Sequence, residues 1–386
     1  MTFSWDFSKE SHERNDTILG YKSIMKAIMT VCGPIPDDKI GLTSMHDHIL
    51  ADLSFFKQPI TDDIEKDSPI DLDSSIEMKN LCYLRNGLAG YCSDNWNLTD
   101  ADLMTKEVQY FKERGGNTML ESSAPGIRCN TERLKYISET TNVNIIASTG
   151  LYREETWPAR FAKMGSSDIQ SYLLNEINCG IDGTDIKAGH IKTAIANGSE
   201  NEFNLLKAVV PVANETGLMV TANTSYGTST EKRRKMLQTF LQEGMKPEKL
   251  LLCHVQYTFA NQDVRSFLQN PELCKLDLTW AKEVLDKGAN VCIDLFGYPS
   301  DNEILDCFGR ADTVKLSGLI GLINSGYAEQ LVIGNDVYQK IMLRSYGGHG
   351  YCRIIDYVIP ALIASGIDKK TIDKIIIFNP TRLLQH

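Results

Sequence analysis

Short apolar runs rich in β-branched residues alternate along the chain with longer segments in which apolar residues recur at helical spacing. Eight of the short runs have strand character: Ile40–Met45, Asn117–Ser122, Val143–Ser148, Ile186–Lys192, Gly217–Thr224, Lys249–His254, Asn290–Leu295 and Gln330–Asn335. The segments between them predict helices over Asp102–Arg114, Thr131–Thr140, Ser167–Cys179, Glu200–Thr216, Glu231–Glu243, Asp277–Lys287 and Glu303–Asn324. Strands that alternate with helices predict parallel βαβ units, and therefore an α/β fold.

Eight such units favour a closed (β/α)8 TIM barrel. An open doubly wound sheet is the alternative, but it usually carries a glycine-rich phosphate turn after its first strand, and this sequence has none. Residues 1–39 form an N-terminal extension in which Ile28–Cys32 predicts a hairpin strand, and an insertion from about Leu53 to Leu98 follows the first strand. No linker-like segment divides the chain, so we predict one domain over residues 1–386, with the barrel from about residue 40 to 386.

Composition and charge restrict the class of protein. The 386 residues suit a barrel with insertions, and the net charge of −10 disfavours a nucleic-acid partner, since that binding depends on clustered Lys and Arg. No run approaches the roughly 20 apolar residues of a membrane span, and the polar N-terminus lacks the apolar region of a signal peptide. Ten scattered cysteines without a CxxC pair predict reduced core thiols in a cytoplasmic protein.

Candidate chemistry lies where the predicted strands end, which is where barrel enzymes carry their functional residues. His46 and His48 end the first strand and share one face, so they can bind one metal together; the alternative is one core and one surface histidine. Lys192 lies in the apolar fourth strand, where a lysine is unusual. It is either a strand-end lysine that reaches solvent or has reacted with CO2 to form a carbamate. His254 closes the sixth strand. Asp336 follows the eighth, either as a helix N-cap or as a ligand and general base.

This order of histidine pair, lysine, histidine and aspartate on strands one, four, six and eight resembles the amidohydrolase superfamily and, within it, the phosphotriesterase family. The resemblance extends from about Val31 to Pro380. Further matching stretches are Gly33-Pro34-Ile35, Thr149-Gly150-Leu151-Tyr152, Gly189-His190-Ile191-Lys192, Tyr346-Gly347-Gly348-His349-Gly350-Tyr351 and Asn379-Pro380.

The resemblance implies two divalent metal ions, usually zinc, that share an attacking hydroxide. One ion would bind His46, His48 and Asp336, the other would bind histidines of strands five and six, and carbamylated Lys192 would bridge both. Metals of this kind lower the pKa of water and polarise the bond to be cleaved. Asp336 would carry the proton from the attacking group to the leaving group, and Tyr152 would orient the substrate.

Two positions depart from the family pattern. Asn223 stands where relatives have the histidine of strand five; an amide oxygen is a weaker zinc ligand, so Asn223 predicts a weakened second metal site. Gln256 and Tyr257 stand where many relatives carry an aspartate, so we expect a proton-shuttling carboxylate to be missing. His190 should lie one layer below Lys192, as a hydrogen-bond partner of Asn223 or a buried carbonyl, with a ligand role as the alternative.

Substrate choice depends on the loops. Arg153, Lys340 and Arg344 are candidate contacts, beside Tyr152, for an anionic group of the substrate; the alternative is that they are solvated surface charges. We predict hydrolysis of a lactone or other carboxylic ester, with a sugar-acid lactone as one candidate. The alternatives are phosphotriesterase activity and a binding protein that kept the metal ligands but lost turnover. The resemblance implies a small-molecule substrate and a homodimer, and we expect neither a nucleic-acid nor a membrane partner.

Overall fold

All eight predicted strands are present in the structure, a computed structural model that describes residues 27–260, 269–270, 275–298 and 311–386. In chain order the strands are β1 (Ala27–Thr30), β2 (Gly33–Pro36), β3 (Thr43–Asp47), β4 (Ala51–Asp52), β5 (Asn97–Leu98), β6 (Thr118–Glu121), β7 (Asn144–Ile146), β8 (Ser148–Gly150), β9 (His190–Ile195), β10 (Val220–Thr224), β11 (Leu250–Cys253), β12 (Asn290–Ile293) and β13 (Leu331–Ile333).

The barrel strands pair in parallel, in the order β3-β6-β7 and β8-β9-β10-β11-β12-β13. The hydrogen-bonded ladders are therefore a sheet of three and a sheet of six rather than one uninterrupted ring. β7 and β8 are two parts of one predicted strand, interrupted at Ala147. On the other side, Asp336 N donates to His46 O at 2.8 Å and brings the end of β13 against β3.

The fourth barrel strand starts four residues later than predicted, at His190 rather than Ile186. The backbone of the intervening residues is bonded elsewhere: Ile186 O accepts from Ile181 N, and Ala188 N donates to Glu176 O. The strand also runs on to Ile195. Lys192 therefore lies inside the strand rather than at its end, which accounts for its complete burial.

Six of the seven predicted helices match within two residues at both ends. The seventh, predicted over Glu303–Asn324, ends as predicted but begins only at Asp312, because the backbone of Ala311 is extended. The long helices are Ala101–Glu113, Thr131–Thr141, Ser166–Asn178, Glu200–Thr216, Thr230–Gln242, Thr279–Asp286 and Asp312–Asn324, and the short ones are Asp62–Asp67, Leu81–Tyr83, Ile359–Ala364, Lys369–Asp373 and Asn379–Leu384. Residues 303–310, the predicted start of one helix, lie outside the described residues. In the part of the chain that is described, no helix has both the length and the apolar character needed to cross a membrane.

The predicted hairpin strand and insertion are also found. β1 pairs with β2 in an antiparallel hairpin, while residues 1–26 of the predicted extension lie outside the described residues. β4 and β5 pair in antiparallel fashion at the two ends of the insertion and hold it against the barrel mouth.

The cysteine prediction is confirmed in part. The eight described cysteines are all free thiols. Four are buried (Cys92, Cys253, Cys292 and Cys352), whereas Cys32, Cys82 and Cys179 are exposed and Cys129 is intermediate. The core placement was therefore wrong for the exposed three. Cys32 lies in the β1–β2 turn and Cys179 at the end of a helix, where the chain meets solvent.

A buried ion pair ties the loop after β6 to the neighbouring strand and helix. Arg128 donates to the Glu176 carboxylate at 2.6 Å, to the Asp182 carboxylate at 3.0 Å and to Ser148 O at 3.0 Å. The side chains of Arg128 and Glu176 are both 2% exposed. Burial opposes the charge of Arg128, but the charge of Glu176 outweighs it and raises the pKa of the guanidinium.

We expect Glu176→Gln to lower the free energy of unfolding by roughly 3 kcal/mol, because it leaves a buried guanidinium without its main counter-charge. Chemical denaturation measures the change. Glu283→Gln is the matched control: Glu283 pairs with Arg234 on the surface, and losing an exposed pair should leave stability nearly unchanged. Equal stability losses in the two variants would contradict a structural role for the Arg128–Glu176 pair.

Candidate metal centre

Six barrel strands bring a cluster of polar side chains to one end of the barrel. Its members are each at most 7% exposed and lie in or just after a strand: His46, His48, Lys192, Asn223, His254, Asp294 and Asp336. All six residues predicted to bind metal are therefore brought together. Asp294 is an addition that the sequence analysis missed.

The distances within the cluster suit side chains that share a bound cation. Lys192 Nζ lies 2.9 Å from His46 Nε2. One carboxylate oxygen of Asp336 lies 3.7 Å from His46 Nε2 and 3.6 Å from His48 Nε2, and the other lies 3.8 Å from His254 Nδ1. Asn223 Nδ2 lies 3.1 Å from His254 Nε2.

Local backbone geometry aims two of these side chains. His254 and Asp336 have φ of 61° and 50°, in the left-handed region that non-glycine residues rarely adopt. His254 follows directly on β11, and Asp336 lies three residues after the end of β13. Unusual backbone of this kind is concentrated at functional sites, where the surrounding structure compensates for its cost.

Asp294 links two of the histidines through a single carboxylate. Its Oδ2 lies 2.8 Å from His46 Nδ1 and its Oδ1 lies 2.7 Å from His254 Nδ1. An ionised carboxylate only accepts hydrogen bonds, so both Nδ1 atoms carry a proton, and in the neutral form of each ring the lone pair is on Nε2. A carboxylate that accepts from the outer nitrogen is the usual partner of a metal-binding histidine.

The positions after the strand-six histidine carry no carboxylate, as the sequence indicated, but a carboxylate of another strand contacts that histidine. The neighbouring strand supplies it as Asp294, and Gln256 donates to that carboxylate through Nε2 at 2.6 Å. The signal was present in the sequence, because Asp294 lies inside a run predicted as a buried strand. Acidic residues are almost never fully buried unless they are paired.

The charges in the cluster favour a cation beside His46. Burial lowers the pKa of His46, but the charge of Asp336 and the hydrogen bond to Asp294 outweigh it and raise the pKa to about 10. The pKa of His48 is well below its usual value, first because of burial and then because of His46. Burial also lowers the pKa of Lys192, which favours its neutral amine. The two carboxylates therefore stabilise positive charge at this point, whether a proton or a metal ion carries it.

The donor set fits a divalent metal ion. Imidazole nitrogens and carboxylate oxygens are common zinc ligands. Ligand atoms of His46, His254, Asp294 and Asp336 lie within 4.8 Å of one another. Asn223 Oδ1 is buried and has no hydrogen-bond partner, while Nδ2 of the same amide faces the histidines.

His190 has the structural role that was one of its predicted alternatives. It is fully buried, and its Nε2 lies 3.0 Å from Glu121 O, a buried carbonyl. Its other nitrogen lies 3.4 Å from the Thr221 hydroxyl. Both ring nitrogens therefore have partners other than a metal.

A cavity of about 550 Å³ opens above His48, His254 and Asp336. Eight aromatic side chains line part of it, contributed by the insertion and by the loops after five strands: Phe56, Tyr91, Trp96, Tyr152, Tyr226, Tyr257, Tyr298 and Tyr338. The ring of Tyr152 lies 5.7 Å from Lys192 Nζ, so Tyr152 lies beside the candidate metal ligands.

One of the three predicted substrate-binding cations reaches the cavity. Arg153 lines it, lies over the ring of Phe56 at 5.2 Å and pairs with Glu155. The structure does not bring Lys340 or Arg344 to the cavity.

Those two cations serve the outer loops instead. Lys340 pairs with Asp94 of the insertion. Arg344 lies 4.9 Å from the ring of Tyr110 on a barrel helix.

A parallel α/β fold with a buried histidine, lysine and aspartate cluster at the strand ends defines a barrel hydrolase of the amidohydrolase type. The chain belongs to the Phosphotriesterase family, which it matches over residues 26–384. This is a family of binuclear metal hydrolases.

Solved structures confirm the barrel fold. A resiniferatoxin-binding protein from Rhodobacter sphaeroides superimposes with a TM-score of 0.82 at 24% identity, covering 93% of this chain and 95% of that protein. A lactonase from Listeria monocytogenes superimposes with a TM-score of 0.71 at 19% identity, covering 93% and 99%.

Relatives of similar length are hydrolases or carry the family name. An N-acetyltaurine hydrolase from Xenopus tropicalis is 28% identical over 367 residues, which cover 94% of this chain and 99% of that protein. A phosphotriesterase-related protein from Nematostella vectensis is 29% identical over 360 residues, covering 91% and 96%.

We expect Asp294→Asn to weaken zinc binding by about 10- to 100-fold. An amide has only one oxygen, so it cannot accept from the Nδ1 atoms of both histidines in the way that the carboxylate does. Competition against a chromophoric chelator measures the affinity. Glu107→Gln is the matched control, since Glu107 is a buried carboxylate that bonds to Arg344 N and Ser345 N and to no histidine. Unchanged zinc affinity in Asp294→Asn would contradict the orienting role.

Proposed function

We propose that this chain is a zinc-dependent hydrolase that cleaves the bond between a carbonyl carbon and an oxygen or nitrogen. Membership of the family supports hydrolysis. The observation that carries the proposal is the hydrogen bonding of Asp294 to two histidines, because it prepares their Nε2 atoms for a metal ion. A binding protein that kept its metal ligands would share this arrangement, so we rank the hydrolase above it because relatives of similar length are hydrolases.

Two ions would be held by distinct sets of side chains. His46, His48 and Asp336 would hold the first. His254 and the unpartnered Oδ1 of Asn223 would hold the second. Bound divalent metal supplies a nucleophilic oxygen near neutral pH and polarises the substrate carbonyl. Because an amide oxygen is a weak zinc ligand, we expect the second ion to be the more weakly held.

Lys192 would contribute a carboxylate after modification. Its neutral amine adds to the carbon of CO2 and releases one proton, which leaves an N-carboxylate on the side chain. Burial, which lowers the pKa of Lys192, supports the neutral form that this step needs. The 2.9 Å distance from Nζ to His46 Nε2 supports a position between the two sets of ligands.

Asp336 and Tyr152 would act on the reacting groups. Asp336 lines the cavity and lies between the histidines, so its carboxylate is placed to take a proton from attacking water and return it to the leaving group. Tyr152 lines the same wall of the cavity. Burial raises the pKa of its phenol, so the hydroxyl keeps its proton and can donate to a substrate oxygen.

An N-acyl amide with a compact anionic group is the first candidate substrate. The N-acetyltaurine hydrolases that match this chain along nearly their whole length favour it. Arg153, the one lysine or arginine among the described residues that line the cavity, would contact the anion. The lactone or carboxylic ester predicted from the sequence is the second candidate, and a phosphotriester is the third.

A substrate panel tests this order. N-acetyltaurine, N-acetyl amino acids, lactones, aryl esters and a phosphotriester would be assayed with added zinc or manganese. We expect kcat/KM to be highest for a carbonyl substrate and to fall at least about a hundredfold in Asp336→Asn, which removes the proton carrier. Highest activity on the phosphotriester would overturn the carbonyl assignment, and full activity in Asp336→Asn would overturn the role of that residue.

We expect Lys192→Ala to lose activity at least about a hundredfold, and acetate or propionate to restore part of it by supplying the missing carboxylate. Chloride at the same ionic strength is the salt control, and Asp336→Asn, which acetate should not rescue, is the protein control. Circular dichroism verifies the fold of each variant. A folded Lys192→Ala protein that no carboxylate rescues would contradict a carbamate at this position.

We also propose a cytoplasmic homodimer. The free thiols of the described cysteines are in keeping with a reducing compartment, and the dimer follows from the family resemblance. Sedimentation of the purified protein tests the dimer, and a monomer at micromolar concentration would overturn it.

A further inference from the structure

Two buried cysteines lie side by side directly below the histidine centre. Leu252 of β11 pairs with Val291 of β12, so the next residues along, Cys253 and Cys292, are neighbours on adjacent parallel strands. Both are at most 1% exposed. Their sulfur atoms and a carboxylate oxygen of Asp294 all lie within 4.8 Å of one another.

Both thiols face the interior of the barrel. They pack in one apolar cluster with Met45, Leu251 and Val332, which come from three barrel strands. His254 follows Cys253 in a left-handed conformation, which breaks the alternation of β11. Two consecutive side chains therefore point inward, one into the histidine centre and one into the layer beneath it.

We propose that Cys253, Cys292 and Asp294 form a second metal site, beneath the histidine centre, that takes a thiophilic divalent ion such as Zn²⁺ or Cd²⁺. Sulfur ligands of a tetrahedral zinc ion, at about 2.3 Å from the metal, lie roughly 3.8 Å apart, which the spacing of this cluster permits. Binding would replace two thiol protons, released to solvent, by two metal–sulfur bonds. Thiolates select such ions over magnesium or calcium.

A buried cysteine is more often a small apolar side chain than a ligand. Cys92 is an example in this chain, because it packs in a separate apolar cluster with Ile76, Leu84 and Ala89. The pair beneath the histidine centre differs in two ways. Two sulfur atoms are adjacent, and a buried carboxylate that already serves the metal centre completes a set of three donors.

The shared carboxylate couples this site to the histidine centre. Asp294 accepts hydrogen bonds from His46 Nδ1, His254 Nδ1 and Gln256 Nε2. An ion on the two sulfur atoms would take one carboxylate lone pair and so compete with one of these bonds. An ion at the sulfur site should therefore weaken metal binding at the histidine centre. An ion at the histidine centre should weaken binding at the sulfur site by the same factor, because coupling between two binding sites is reciprocal.

Cadmium titration of the metal-free protein tests the site, because cadmium bound to thiolate absorbs in the ultraviolet by charge transfer from sulfur. The exposed cysteines of the folded protein are first blocked with iodoacetamide. We expect an absorption band that saturates with one ion per chain. Cys253→Ser and Cys292→Ser should each weaken it at least about tenfold in affinity, because each removes one ligand. Cys92→Ser, the matched buried control, should leave it unchanged.

A buried serine hydroxyl could itself disturb folding, so Cys253→Ala and Cys292→Ala are measured as well. Circular dichroism verifies that these variants are folded. The proposal would be overturned by the absence of the band in the unmodified protein, by an unchanged band in both folded cysteine variants, or by a Cys253–Cys292 disulfide in the purified protein. The readout is optical and needs no turnover, so it is independent of the proposed hydrolysis.

Discussion

The arrangement of this barrel mouth depends on one buried carboxylate. An ionised side chain without solvent is costly unless it is paired and hydrogen-bonded. Asp294 meets that condition by accepting from a histidine on β3 and from another just after β11. Both Nδ1 atoms thereby face the same carboxylate, so in the neutral rings the Nε2 lone pairs are on the side away from it. One carboxylate therefore orients two imidazole rings and supplies a negative charge beside them.

The other polar side chains of the cluster are brought to Asp294 because the barrel strands lie side by side around it. The hydrogen bond from Asp336 N to His46 O places the eighth strand end against the first, and Tyr351 donates to His48 O at 2.6 Å from a later loop. Lys192 enters from the opposite side of the ring, inside a fully buried strand. The result is a set of polar groups that no single segment of the chain could assemble, held at the floor of a cavity lined in part by aromatic rings.

Much of the fold and most of the centre were predictable, because they depend on local patterns. Strands and helices alternate with clear periodicity, and His46, His48 and Lys192 stand out as polar residues in apolar strands. Asp294 has the same signal but was missed, because its two partners lie 248 and 40 residues away and no local spacing links them. Lys340 was misplaced for the same reason, since its partner Asp94 belongs to an insertion 246 residues earlier.

The central claim is that the cluster around Asp294 is a metal centre, and the metal content of protein purified without chelator tests it most directly. Elemental analysis of the unmodified protein should find at least one zinc or similar divalent ion per chain, and the double variant His46→Ala/His48→Ala should lose it. A second, weaker equivalent should become tight in Asn223→His, which restores an imidazole ligand. Folded protein that binds no divalent ion, even after zinc is added, would contradict the account.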